Sequence, residues 1–202
     1  ASVSSYRSRY GIPGHGHHHH HDDDDHGRLL SLLGVAGDDD DEDEEEVILD
    51  LEQLRFDLKG ALYRPMAGVE RINLRLGYND YEHVELEEGE VETEFFNREW
   101  NARIELVHET LAGWDGAFGL TSNRRDFEAL GDEAFVPPSL TRDWGLFVIE
   151  QTELAPDWTL DLGARYDRQS IDVDDGRDAD HSAFSLSLGT RWRFAESWSL
   201  GL

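Results

Sequence analysis

The feature that most constrains this chain is a two-residue hydrophobic period that returns along most of its length. Ile72, Leu74, Leu76 and Tyr78 alternate with Arg71, Asn73, Arg75 and Gly77. Trp100, Ala102, Ile104 and Leu106 alternate with Asn101, Arg103 and Glu105. Trp158, Leu160, Leu162, Ala164 and Tyr166 alternate with Asp161, Gly163, Arg165 and Asp167. Phe184, Leu186, Leu188 and Trp192 alternate with Ser185, Ser187, Gly189, Arg191 and Arg193. Successive side chains of a strand point to opposite faces, so each run builds a strand with one apolar or aromatic face and one polar, often charged, face. The chain reads as all-β.

Two kinds of connection join the runs, in strict alternation. Short ones fall at Arg64-Pro65-Met66-Ala67-Gly68, Leu111-Ala112-Gly113, Ala155-Pro156-Asp157 and Ala195-Glu196-Ser197, each with turn residues. Long ones are expected near 11–46, 83–95, 128–141 and 171–182. In an antiparallel up-and-down meander, all short turns gather at one end and all long loops at the other. Outer-membrane barrels have this asymmetry, with short periplasmic turns and long external loops. Trp114, Trp158 and Trp198 each directly follow a short turn. An indole at the same depth beside successive turns fits an interfacial aromatic girdle. The expected architecture is therefore a transmembrane outer-membrane β-barrel of about eight strands, with residues 1–202 forming one partial barrel domain.

The arginines sharpen that expectation. Arg71, Arg75, Arg103, Arg165, Arg191 and Arg193 fall on the polar faces, beside Glu105, Asp161 and Asp167. A charge facing lipid at mid-bilayer costs about 2–4 kcal/mol, so these faces are predicted to line the barrel interior and pair there. No apolar run approaches the roughly 20 residues of a transmembrane helix, which excludes helical spans but not a barrel. The chain starts in Ala1-Ser2-Val3-Ser4 and stops in Ser199-Leu200-Gly201-Leu202, both alternating, so a longer protein is expected around it.

With 45 acidic against 18 basic residues, the net charge is −27. That balance argues against nucleic acid and favours cations as partners. The chain has no cysteine, hence no disulfide and no thiolate metal site.

The chemistry concentrates in the first long loop, at about 11–46. His15, His17, His18, His19, His20, His21 and His26 interleave with Asp22, Asp23, Asp24 and Asp25. Imidazole binds zinc, copper and nickel near neutral pH, and adjacent carboxylates add ligands and negative potential. A run of this kind offers many overlapping sites, suited to capture and local concentration. The bland alternative is an affinity tag with a cleavage linker. Against it, the run has five histidines, is internal, and leads through Asp22–Asp25 into His26. Nine consecutive acids, Asp38 to Glu46, repel one another unless cations neutralise them. Between the two lies an apolar stretch, Leu29 to Val35, without an evident role.

A second candidate is His83, placed where a strand is expected to run out into an acidic loop with Asp80, Tyr81, Glu82, Glu85, Glu87 and Glu88. It could complete a metal site at the barrel mouth or simply be solvated. His108 lies near a short turn and reads as structural; His181 is a weaker candidate. No Ser/His/Asp or Cys/His set, glycine-rich phosphate loop or H-E-x-x-H is evident, so the chain does not read as an enzyme and implies no organic cofactor.

Several segments carry a family resemblance: Ser2-Val3-Ser4 through Tyr10-Gly11-Ile12-Pro13-Gly14-His15; Leu54-Arg55-Phe56-Asp57-Leu58-Lys59-Gly60; Asn79-Asp80-Tyr81 with His83; Phe95-Phe96-Asn97; and Asn101 to Leu106. In this order, across nearly the whole chain, the sequence resembles the zinc-uptake TonB-dependent outer-membrane receptors. The resemblance implies a larger protein, with a 22-stranded barrel and an N-terminal plug, energised by the TonB complex. It implies zinc or another divalent transition metal as the transported ligand, with outer-membrane lipid around the wall. Carried onto this chain, the metal role falls on His15, His17 to His21, His26 and His83, with Asp22 and Asp24 added from their own donor chemistry. Two rivals stay open at this point: a complete eight-stranded barrel acting as anchor or adhesin, and a soluble metal-buffering β-barrel.

Overall fold

The alternating runs form a single antiparallel sheet whose strands lie side by side in chain order. The computed structural model describes residues 1–13, 46–131, 134–174 and 176–202. The strands are β1 (Ser2–Pro13), β2 (Glu46–Tyr63), β3 (Val69–Glu87), β4 (Glu90–His108), β5 (Trp114–Gly131), β6 (Ser139–Ala155), β7 (Trp158–Val173), β8 (Ala179–Ala195) and β9 (Trp198–Gly201). Among the described residues there are nine rather than about eight, because the last alternating run begins a further, four-residue strand. Each strand pairs with its neighbours in sequence, and no pairing joins β1 to β8 or β9. Among the described residues the sheet is an open wall with two edges, not a closed small barrel.

Strands β2 to β8 are 16 to 19 residues long. At about 3.3 Å per residue and a tilt near 40°, they rise roughly 40–48 Å. A bilayer crossing needs only about 9–11 residues, so the strands continue well past the membrane. This overturns the loop lengths expected from sequence. Where a long loop was expected at 83–95, β3 and β4 continue to a two-residue turn, Glu88-Gly89, with φ of 51° and 87°. That left-handed pair matches the strand twist, and glycine takes the second position without steric cost. The connections expected at 128–141 and 171–182 shorten likewise, because β5 to β8 extend into them. The charged residues there alternate in strand register, a pattern easily mistaken for a polar loop.

The short turns hold at the opposite end. Leu111 and Trp114 exchange two backbone hydrogen bonds, at 2.9 and 3.0 Å, around Ala112-Gly113. Ala155 pairs with Trp158, and Ala195 with Trp198, across two-residue turns. Each tryptophan thus opens its strand at the same place.

Register sorts the two faces. On one lie Leu62, Ile72, Leu106, Phe118, Val148, Ala164 and Leu186, directly opposed from β2 to β8. Little of the sheet is buried: among the described residues Val69, Ala117 and Ala129 are the buried apolar side chains, while Leu186 and Leu188 are 73% and 74% exposed. A single-layer wall of this kind has no core of its own. Its apolar face requires lipid.

Candidate functional site

Two aromatic rows bracket the apolar face. The lower row is Trp114, Trp158, Trp192 and Trp198, at the turn end, with Trp158 directly opposite Trp192. The upper row is Tyr78, Trp100, Trp144, Tyr166 and Phe184. Tyr78 and Trp100 oppose one another with ring centroids 4.4 Å apart; Tyr166 opposes Phe184. From Trp158 to Tyr166 is eight residues on one strand, about 26 Å at 3.3 Å per residue. At a tilt near 40° that is a rise of roughly 20 Å, most of the apolar band of outer-membrane barrels, which is about 25 Å tall.

The opposite face is largely polar in this band, and two of its arginines are held by carboxylates. Arg103 meets Glu105 at 2.7 Å, Asn73 donates to the same carboxylate at 2.9 Å, and the guanidinium sits 4.3 Å over the Phe147 ring. A side chain at Gly119 would overlap that ring, so the missing Cβ lets Phe147 lie against the sheet. Arg165 bonds both oxygens of Asp167 and reaches Thr121 at 3.1 Å. The expected interior pairing of Arg103 and Arg165 is therefore present. Arg71, Arg75, Arg191, Arg193 and Asp161, expected to share in it, form no ion pair among the described residues. Charged pairs of this geometry are worth more than neutral hydrogen bonds and are tolerable only away from lipid. The polar face is the inner wall.

One polar pair breaks the outer face. His108 and Glu150 reach toward each other across Gly116, with Nε2 3.1 Å from the carboxylate. Nδ1 lies 2.7 Å from the Glu109 carbonyl oxygen. Both ring nitrogens face acceptors, so the ring must be an imidazolium or share a proton with Glu150. The pair lets two polar groups face the lipid boundary together, in agreement with a structural role for His108.

His83 is not on a loop. It lies on β3, on the inner face, above the upper aromatic row, between Leu51 and Phe95 in register. The imidazole stacks on Phe95 with centroids 4.3 Å apart and 17° between planes, and meets Tyr81 edge-on at 5.5 Å. Nε2 is 3.6 Å from Glu85, while the buried Nδ1 has no hydrogen-bond partner. A structural zinc site takes four ligands, and His83 with Glu85 supplies two donors. Among the described residues no group of three or more His, Cys, Asp or Glu side chains could hold a metal. His181 is exposed on β8 opposite Gln169. The other candidates, His15, His17, His18, His19, His20, His21, Asp22, Asp24 and His26, lie outside the described residues, as do Leu29 to Val35. In sequence they fall between Pro13 and Glu46, which pair with each other at the end of the wall opposite the short turns.

Beyond the upper aromatic row, the outer face turns charged. Arg98 pairs with Asp80 at 3.3 Å, Arg142 with Asp172 at 2.5 Å and Arg168 with Asp180 at 3.7 Å; Arg7 pairs with Glu52. Neither this belt nor the upper aromatic row is evident from sequence, because their members are far apart in the chain and only register aligns them.

Comparison with known proteins agrees with this geometry. Residues 4–201 match the family model described as TonB dependent receptor-like, beta-barrel. The FrpB iron transporter from Neisseria meningitidis (F3-3 variant) superposes with a TM-score of 0.64 at 14% identity, over 78% of this chain and 28% of that one. The copper transporter OprC gives 0.59 at 14% identity, over 77% and 28%. At such identity the likeness is one of fold. The chain covers 28% of the length of each of these transporters.

Proposed function

Because this chain belongs to the TonB-dependent receptor β-barrel family of the bacterial outer membrane, we propose that it is a wall segment of a receptor that gathers a divalent metal ion, zinc in first place, for TonB-dependent uptake. The observation that carries this reading is the His/Asp run between β1 and β2. Seven histidines and four aspartates lie within residues 15–26, joined to the wall at the end where the external loops belong. Imidazole with carboxylate is a donor set for zinc and its neighbours. The iron and copper transporters of similar fold support a metal as cargo.

In this account His15, His17 to His21, Asp22, Asp24 and His26 capture the ion from dilute solution. The acidic run raises its local concentration. His83, with Glu85 beside it on the inner wall, accepts it on the way inward, completing its coordination with donors from the loop. The chain is a carrier surface and performs no covalent chemistry.

Calorimetric titration of the intact receptor with zinc, nickel, copper and calcium tests the reading. Saturable transition-metal binding that is lost when the histidines of residues 15–26 become serine is the expected result. Weak, unselective binding that survives those replacements would remove the metal role.

A further inference from the structure

We infer that the outer face carries a binding slot for an amine-bearing phospholipid of the periplasmic leaflet, with the headgroup ammonium on Glu150 and an acyl chain lying over Ala164. Shape is the first argument. Ala164 is the smallest side chain in its outer-face row, set between Val148 and Leu186. The notch it leaves opens upward toward Leu146 and downward toward Leu162, where the slot ends against His108, Glu150 and Trp114. From Glu150 to Leu146 the slot follows β6 for four residues, about 13 Å at 3.3 Å per residue. At a tilt near 40° that rises roughly 10 Å, within the depth of about 15 Å that one leaflet takes of a hydrocarbon core about 30 Å thick.

The second argument is the polar end of the slot. The side chains of Glu150 and His108 are 22% and 12% exposed, so the carboxylate is the more open partner. Gly116 makes room for it, since a Cβ there would lie 2.5 Å from Oε2 of Glu150. His108 Nε2 stands 3.1 and 3.2 Å from the two oxygens, and among the described residues no other donor bonds them. A carboxylate offers about four acceptor sites, so one shared N–H leaves most of them open. At the lipid boundary an unsatisfied polar group is costly. His108 has no free donor to give, because its other nitrogen faces the Glu109 carbonyl.

An ethanolamine headgroup meets this need. Its ammonium brings three donors and a positive charge to the carboxylate. A headgroup with phosphate but no ammonium would bring a like charge to Glu150 instead. Depth agrees. Gly116, directly opposite Glu150, is two residues inside Trp114 of the lower row, and an indole settles at the headgroup level of a bilayer. That row lies at the short-turn, periplasmic end. No part of the wall covers the slot: it sits on strands inside the sheet, away from both edges and on the face turned from the lumen. The membrane therefore supplies the occupant.

Native mass spectrometry of the intact receptor in detergent, titrated with phosphatidylethanolamine and with the same lipid N-acetylated, tests the slot. The unmodified receptor should hold the free-amine lipid at least tenfold more tightly. E150Q should remove most of that preference. Should E150Q fail to insert, H108L/E150L leaves neither polar group without its partner and should remove the preference as well. A164F fills the notch and should weaken phosphatidylethanolamine binding threefold or more. Equal retention of the two lipids, a preference that survives H108L/E150L, or binding unchanged in A164F overturns the inference. Displacement of the lipid by free ethanolamine at matched concentration also overturns it, since the site would then be one for a soluble amine.

Discussion

Leu188 and Ser187 are neighbours on β8, and both are exposed. Replacing each with arginine separates the effect of lipid from every effect internal to the sheet. Leu188 lies on the outer face, opposite Leu162, midway between Phe184 and Trp192 of the two aromatic rows. Ser187 points to the inner wall, opposite Gly163. In water neither change should matter greatly, because surface substitutions usually stay within about 0.5 kcal/mol. In a bilayer, Leu188→Arg places a guanidinium at mid-depth on the lipid face, at a cost of about 2–4 kcal/mol. That is roughly 30- to 700-fold in the folding equilibrium. Ser187→Arg should cost less than about 1 kcal/mol, because it joins other charges on the inner wall. Urea titration of the intact receptor folded into lipid vesicles, followed by tryptophan fluorescence and gel mobility, reads the difference. Equal cost for the two variants, or a greater cost for Ser187→Arg, would refute the assignment of faces.

Other consequences can be checked the same way. Gly119→Val should displace the Phe147 ring, separate it from Arg103 and cost about 1–3 kcal/mol of stability, whereas Ser122→Val on the outer face should be tolerated. Replacing His108 alone with leucine leaves the Glu150 carboxylate without its partner at the lipid boundary and should cost more than replacing both residues; a double-mutant cycle in vesicles gives the coupling. Gly89→Val puts a β-branched residue at φ 87° and should destabilise the β3–β4 turn by about 1 kcal/mol or more, measured as faster local amide exchange there. Chelation with EDTA should reverse zinc binding by the intact receptor without altering the strand content seen by circular dichroism, because the wall is held by its hydrogen-bond ladder.

The wall was legible in the sequence because its signal is local. Two-residue alternation fixes the faces, so Ile72, Ile104 and Leu162 could be set apart from Arg75, Arg103 and Arg165 without a structure. The turns were equally local, and Trp114, Trp158 and Trp198 marked their own positions. Strand ends were harder. Beyond the membrane the outer face becomes charged, as at Asp80, Glu82 and Arg98, so hydrophobic alternation fades although the hydrogen-bond ladder continues. His83 was therefore assigned to a loop when it lies in paired strand against Phe95. Features assembled from several strands were illegible for another reason. Trp100 and Arg124, or Trp144 and Arg168, meet only through register, which follows from the combined length of strands and turns. The residues proposed to capture metal were conspicuous by composition, since seven histidines within residues 15–26 stand out in any sequence.

The account's central claim is tested most directly by zinc uptake at limiting metal in cells expressing the intact receptor, with or without the histidines of residues 15–26, in TonB-positive and TonB-negative backgrounds. The account predicts TonB-dependent uptake that falls several-fold when those histidines are replaced, while the receptor remains folded in the outer membrane. Uptake that is unchanged by the replacements, or that proceeds equally without TonB, would contradict it.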